Sequence, residues 1–345
     1  LHALPASGKS ILSSFVVNHL LEKSFCVYYF FRFGDQSKRL LSTCLRTIAF
    51  QIAEQLPQFC HALKEVRFST KTLEKIDATT LWEKVFVGVL FQMRFTTTVY
   101  CVIDALDESD HPQLLVELMQ QIPSTSPIKV LLVSRQTPEL TSTFDRISIV
   151  VPVVYLPLEN TKEDIQIYVN KEVQYMHAPP EFKSQIVGKL VASAMGNFLW
   201  VSLALVEVMK CNTQEDLDEI IGGIPSGMEQ LYQRMERTII EKTRPRDRTL
   251  GQTILTWAAC SRRPLILGEL AQALYPEFSL ILDLKFTISR VCGQFVVIDS
   301  NDQLVMVHQT ARDHIIATNS ALAVNVPEGH ERIFTKCISV LEEKQ

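Results

Sequence analysis

Near the start of the chain, Pro5-Ala6-Ser7-Gly8-Lys9-Ser10 brings together the groups that can hold a row of phosphates. Backbone N–H groups of a tight loop can point inward at phosphate oxygens. A lysine can reach the outer phosphates, and a hydroxyl can bind Mg²⁺. A helix that begins near Lys9 adds its positive end to the same place. The contacts expected here are Pro5, Ala6, Ser7, Gly8, Lys9, Ser10 and Ile11, with Ser10 on the metal side. The pattern asks for glycine five residues before Gly8, and the chain has Ala3; Ala6 stands where a second glycine is frequent. A Cβ opposes positive φ, so Ala3 is the point where loop geometry is tested. Read alone, the segment could also be a Ser-Gly helix start with a surface lysine.

A second group of acids lies ninety residues on. The run Val99-Tyr100-Cys101-Val102-Ile103 ends in Asp104-Ala105-Leu106-Asp107-Glu108. An aspartate at the carboxyl end of a buried strand faces the crevice where such sheets bind ligands. Asp104 would hold Mg²⁺ through water or through the Ser10 hydroxyl. Asp107 or Glu108, just beyond, could polarise an attacking water and are the two catalytic candidates. Three acids after a strand could also be only an acidic helix start. Both motifs in this order, separated by a strand and helices, argue for the nucleotide reading. Ser134-Arg135 closes a further buried run. An arginine there can sense the outermost phosphate or can simply be a solvated strand end, and the residues do not choose.

These residues need a frame. Residues 25–31 (FCVYYFF), 99–104 and 128–134 (IKVLLVS) are buried-strand runs, and 147–156 reads as a fourth. Helical patterns cover 10–23, with Ile11, Leu12, Phe15, Val16, His19 and Leu20 on one apolar face, and 38–55, 57–66, 80–93 and 112–121. Strands alternating with amphipathic helices predict an α/β unit, a parallel P-loop NTPase sheet with helices on both faces. Five helical segments follow (162–174, 181–194, 199–210, 214–221, 228–242) with no strand, an all-helical lid. Residues 250–260, 267–274 and 280–291 are three helices. A hairpin, 295–298 with 304–307, completes the order of a winged helix. The expected domains are 1–157, 158–245 and 246–320, with 321–345 starting a further helical region. Trp82, Trp200 and Trp257 lie on apolar helix faces and are expected in cores.

Composition sets outer limits. Hydrophobic residues at 47% and charged residues at 21% are globular values, and 345 residues exceed one ordinary core. A net charge of −4 gives no reason to expect a nucleic-acid surface. The closest two cysteines, Cys44 and Cys60, are sixteen apart, which excludes a CxxC metal pair and suits a reducing, cytoplasmic setting. The longest apolar stretch, 198–209, is shorter than the ~20 residues a membrane span needs. The chain starts at Leu1, almost at the loop, and is expected to be a fragment lacking the central strand that precedes such a loop.

The PASGKS loop, FCVYYFF before FGDQSKR, VIDALDE and VLLVSR resemble the NACHT domains of fungal signalling proteins, which are similar to animal NOD-like receptors. They belong to the wider class of signal-transducing ATPases with numerous domains. The resemblance continues through GNFLWVSLAL, IPSGMEQLYQRM, ILTWAACSRRPLILGELAQAL and VMVHQTARDHI. It implies a switch with ATP or ADP and Mg²⁺ as cofactors, in which ADP holds the domains closed, ATP opens them for homo-oligomerisation, and slow hydrolysis resets the state. It also implies flanking effector and repeat-sensor domains. By the same resemblance His308 reaches the phosphates from the winged helix; by residue type alone it is a partly buried strand-end histidine. The segment Gly196-Asn197-Phe198-Leu199 lacks the proline found in related plant and apoptotic switches. Two other classes fit some of the residues: a DNA-associated ATPase of the AAA+ type, whose recognition helix should be richer in Lys and Arg than 280–290, and a nucleotide-binding scaffold without hydrolysis. A P-loop kinase would leave the helical lid and winged helix unexplained.

Overall fold

Phe25–Phe30, Val99–Asp104 and Ile128–Leu132 form β1, β2 and β3 of a parallel sheet in the order β1-β2-β3, in the computed structural model. The structure describes the chain apart from residues 4–5, 67–75, 96, 136, 147–151, 157, 212, 224–226, 279–280, 318, 320 and 343–345. It divides into two compact units, Leu1–Tyr168 with Gly196–Leu199, and Val169–Met195 with Trp200–Gln345.

In the first unit the register pairs Phe30 with Asp104 and Val27 with Cys101, so the ends of β1 and β2 are level. Helix α1 (Lys9–Lys23) covers one face, where Val17 meets Cys26 and Val102. The other face is covered by α3 (Leu41–Gln55), which follows the short α2 (Gln36–Arg39). Leu41, Cys44, Leu45, Ile48, Ala49 and Ile52 of α3 repeat at helical spacing and are all buried. Its neighbour α4 (Pro57–Lys64) adds Phe59 to the same core. Gln51 exchanges both amide hydrogen bonds with Tyr28, at 2.8 and 3.1 Å, and so occupies the open edge of β1.

The helix expected over 80–93 is broken into three pieces. Asp77 caps α5 (Ala78–Leu81), a π-helical turn spans Trp82–Val87, and a 3-10 turn spans Leu90–Gln92. The widened turn lets Trp82 and Phe86 stack at 4.7 Å while Val85 and Leu90 are also buried, which a regular helix would spread around its surface. Beyond β2, a 3-10 turn (Leu106–Glu108) leads to α6 (Pro112–Met119), and α7 (Pro138–Arg146) follows β3. Residues 147–151 of the expected fourth strand lie outside the described residues. In the rest of it, Tyr155 pairs in parallel with His2, and His2 pairs in parallel with Ser134 on its other side. His2 thus sits in a central strand position. A cavity of about 360 Å³ beside it is lined by Leu1, Leu131, Leu132, Phe144, Val153 and Val154 among others.

α8 (Leu158–Gln174) and α10 (Phe198–Val208) begin in the first unit and continue in the second, which also holds α9 (Pro180–Ser193), α11 (Gln214–Gly223) and α12 (Met228–Lys242). After these come α13 (Pro245–Cys260), β4 (Leu265–Ile266), α14 (Leu267–Leu274), α15 (Leu284–Cys292) and the hairpin β5 (Val296–Ile298) and β6 (Gln303–Met306). The antiparallel order is β4-β6-β5. This is the winged helix read from the sequence, with β4 added; two residues are too few to show a period. Asp299 fixes the wing by accepting the N–H groups of Asn301 and Gln303, both at 2.9 Å. Gly251 of α13 passes so close to α15 that a Cβ would lie 2.5 Å from the Val291 carbonyl oxygen. Helices α16 (Gln309–Ala317) and α17 (Val326–Glu342) complete the unit. Trp82, Trp200 and Trp257 are all buried.

Candidate nucleotide-binding site

The loop before α1 needs two residues at positive φ. Gly8, the N-cap, takes φ 85°, ψ 11°, and Ala6 takes φ 59°. The strained alanine is therefore Ala6, while Ala3 is buried and offers its carbonyl to Lys9 Nζ at 3.1 Å. Ala6 in turn accepts the Phe198 N–H at 2.9 Å, and the Phe198 ring lies 3.4 Å from where a Gly8 Cβ would stand. Pro5 lies outside the described residues. Ser7 is buried, and Ile11 is 75% exposed. Helix α1 buries only part of the apolar face read from its sequence, with Val16 and Leu20 packed against the core and Leu12 half-buried. Ile11 and Phe15 are exposed, and Ser13 and Val17 point inward. The first turns of this helix face a carboxylate, which selects a serine there.

That carboxylate is Asp104, the last residue of β2 and 1% exposed. Ser10 Oγ donates to its Oδ2 at 2.5 Å, and Ser13 Oγ lies 2.9 Å from its Oδ1. A buried carboxylate at normal pH demands such partners. Among the described residues no three His, Cys, Asp or Glu side chains cluster as a metal site. One hydroxyl and one carboxylate are nevertheless a fitting donor set for Mg²⁺, which binds hard oxygens and keeps several waters beside substrate phosphates. Ser10 and Asp104 would hold it.

The acids beyond β2 reach the site by a sharp reversal. Ala105 adopts the left-handed conformation (φ 56°, ψ 44°), and Leu106 N–H bonds the Val133 carbonyl at 3.0 Å. Asp107 returns toward the end of β3, where its Oδ1 accepts the Arg135 N–H at 2.8 Å and its Oδ2 lies 3.3 Å from Arg135 Nε. Glu108 turns the other way, and its Oε2 accepts the Phe33 N–H at 2.7 Å, with Oε1 3.8 Å from the Arg135 fork. Burial pushes the Glu108 carboxyl above its ordinary value; the Phe33 N–H opposes this, Asp107 adds to it and Arg135 opposes it. Lys9 moves the other way. Burial and then the Arg135 charge lower its ammonium, against the pull of Asp107, Asp104 and Glu108. Lys9, Ser10, Asp104, Asp107, Glu108 and Arg135 thus form one electrostatic group at the carboxyl edge of the sheet.

His308 belongs to the second unit, where Nδ1 lies 2.8 Å from Thr310 Oγ1 at the start of α16. Ser13 and the Phe33 N–H were not singled out from the sequence, whereas Phe198 belongs to the 196–199 segment that was. A serine one turn after Ser10 was a usable signal for Ser13. A main-chain donor leaves no trace in residue types.

A family model described as the N-terminal region of nephrocystin 3 matches residues 1–135, and one for the winged helix domain of GPI inositol-deacylase matches residues 235–325. The chain is 27% identical over 342 residues to the vegetative incompatibility protein HET-E-1 of Podospora anserina, covering 93% of this chain and 24% of that protein. It therefore spans about a quarter of that relative's length. Among solved structures, the Walker-type ATPase paby2304 of Pyrococcus abyssi aligns over 91% of this chain and 89% of its own, at 11% identity and a TM-score of 0.38. The Aeropyrum pernix ORC1 protein, solved in complex with DNA, aligns over 93% and 85%, at 14% and 0.39. Scores this low say nothing of function. The phosphate loop, the strand-end aspartate and the parallel sheet define the class, a P-loop NTPase with a winged helix after it. Within that class, these matches support a NACHT-type NTPase reading.

Proposed function

We propose that this chain is an ATP/ADP-dependent molecular switch that binds nucleotide with Mg²⁺ and hydrolyses ATP slowly. The observation that carries the reading is Asp104, buried at the end of β2 and held by Ser10 and Ser13 of the helix that follows the phosphate loop. In this reading the loop from Ala6 to Ile11, with Pro5, wraps the phosphates, and Lys9 leaves the Ala3 carbonyl to meet them. Mg²⁺, when bound, neutralises charge between the outer phosphates. Glu108 orients water, since both Asp107 oxygens face Arg135. His308 approaches the phosphates from the winged helix in the closed state.

The domain division at 1–157, 158–245, 246–320 and 321–345 belongs to the same reading, with flanking effector and repeat-sensor domains and a homo-oligomeric active state. The eight free cysteines suit a cytoplasmic setting. No helix among the described residues is long and apolar enough to cross a membrane. The name of the Podospora relative supports an incompatibility-type signalling output.

The test is nucleotide binding and turnover beside Lys9→Ala and Glu108→Ala. The switch reading expects tight ADP binding and Mg²⁺-dependent ATP binding, both lost in Lys9→Ala, with Glu108→Ala slowing turnover alone. Binding unchanged by Lys9→Ala would leave a helical scaffold that has only the shape of an ATPase.

A further inference from the structure

Asp107 makes an unusual commitment. Its side chain is 7% exposed, and both of its oxygens engage Arg135. Oδ1 accepts the Arg135 main-chain N–H at 2.8 Å, and the Ser134 hydroxyl lies 3.3 Å from the same oxygen. Oδ2 pairs with Arg135 Nε at 3.3 Å. One carboxylate therefore fixes both the backbone and the side-chain root of the arginine. A guanidinium anchored at Nε keeps its two terminal nitrogens for another anion. One of them now lies 3.8 Å from Glu108. The left-handed Ala105 makes this geometry possible, because without that reversal Asp107 could not come back to the end of β3.

We infer that Asp107 is a positioning residue that aims the Arg135 fork at the outermost phosphate, so that the pair discriminates ATP from ADP. The inference rests on the proposed nucleotide site. It separates the two acids of the box: Asp107 acts through Arg135, and Glu108 alone faces the reacting groups. It also links occupancy to chemistry. A γ-phosphate that attracts the fork draws it from Glu108 while Asp107 keeps hold of Nε. The carboxylate then loses its cationic neighbour only when there is a phosphate to cleave. ADP, lacking that phosphate, leaves the fork beside Glu108.

The experiment measures equilibrium binding of ADP and of a non-hydrolysable ATP analogue, with Mg²⁺, to the full chain and to Asp107→Asn, Arg135→Ala and the double variant. Asp107→Asn keeps an oxygen for the Arg135 N–H but loses the charge at Nε. It should weaken the analogue about tenfold, the scale of one charge-assisted hydrogen bond, and leave ADP unchanged. In the Arg135→Ala background the same substitution should change the preference no further, because the two residues act as one unit. A purely structural role would weaken ADP and analogue together and lower the melting temperature; that result, or additive effects in the double variant, overturns the inference. Should Asp107→Asn fold poorly, Arg135→Lys reads the same point. It keeps the main-chain bond and a positive charge but has no Nε, and is expected to lose the preference for the analogue. Lys9→Ala separates the two levels of the argument: if it too leaves both nucleotides bound, the phosphate loop was misassigned and Asp107 was never at issue.

Discussion

Removing a single buried hydroxyl, in Ser13→Ala, tests whether Asp104 depends on α1 as the geometry implies. Ser13 is 1% exposed, with its oxygen 2.9 Å from Asp104 Oδ1 and 3.0 Å from the Lys9 carbonyl. Its one proton can serve only one of these acceptors at a time, and the charged one binds it more strongly. Deleting it leaves a buried carboxylate oxygen without that donor, which costs about 2 kcal/mol. For a unit of this size that lowers the melting temperature by roughly 4–8 °C. A carboxylate freed on one side also orients its metal less well, so the Mg²⁺ needed for half-maximal ATP binding should rise about tenfold. Ser10→Ala is the control. Ser10 is exposed, so its loss should cost under about 1 kcal/mol of stability. It removes the oxygen that would touch the metal, however, and should raise the Mg²⁺ requirement further. Thermal unfolding and a Mg²⁺ titration of ATP binding read both effects. If Ser13→Ala unfolds at the wild-type temperature and titrates with Mg²⁺ as wild type does, the buried pairing with Asp104 has no energetic content and the reasoning fails.

Two further outcomes follow from the same kind of accounting. Ala105 holds φ 56°, so Ala105→Gly should stabilise the chain by up to about 1 kcal/mol, whereas Ala105→Val should destabilise it and reduce turnover; unfolding curves and ATPase rates check both. In the second unit, His314 lies between Glu229 (Nδ1, 3.0 Å) and Glu236 (Nε2, 3.6 Å). Burial lowers its imidazolium, but the two carboxylates beside it, Glu236 as an ion pair and Glu229 as a hydrogen-bonded one, outweigh this, and the net value is raised above 6.5. A raised value contributes stability that is complete below 6.5 and lost as pH climbs through the folded-state value. Urea unfolding across that range should show the loss, and His314→Gln should flatten it; an identical pH profile in the variant would dismiss the pairing.

The sheet was legible because β1 and β2 are largely buried on both faces, while β3 is only partly buried and still reads as an apolar run apart from the exposed Lys129. FCVYYF and VYCVI are continuous apolar runs, IKVLL is one broken only by Lys129, and α3 between β1 and β2 carries a clear helical period. The chemistry was legible where residue types are scarce and specific, as at Lys9, Ser10 and Asp104. It failed where the determinant is a backbone state. The motif drew attention to Ala3, yet positive φ falls on Ala6, because what the loop needs is a conformation and only its usual residue is visible in sequence. The apolar face assigned to α1 held only in part, for a related reason. Hydrophobic period locates an interior made of hydrocarbon, but the inward turn of this helix meets a carboxylate, so Ser13 is buried and Phe15 is not.

The same limit explains why two adjacent acids looked interchangeable. Asp107 and Glu108 differ by one methylene, and on a helix or strand their neighbours alone would set their roles. Here the left-handed Ala105 and the 3-10 turn after it send successive side chains to opposite walls. One is anchored to the end of β3 through Arg135, and the other to the loop after β1 through Phe33. The anchor of Glu108 is a main-chain N–H that no residue pattern could announce, and that of Asp107 is half main chain, with only the Arg135 side chain visible in the sequence. What the sequence does constrain is the turn: a small residue between Asp104 and Leu106. A bulky or β-branched residue there would disturb all three acids together without touching one of them. Position 105 is therefore a place from which a single substitution should disturb binding and turnover together, whereas Glu108→Ala should separate them.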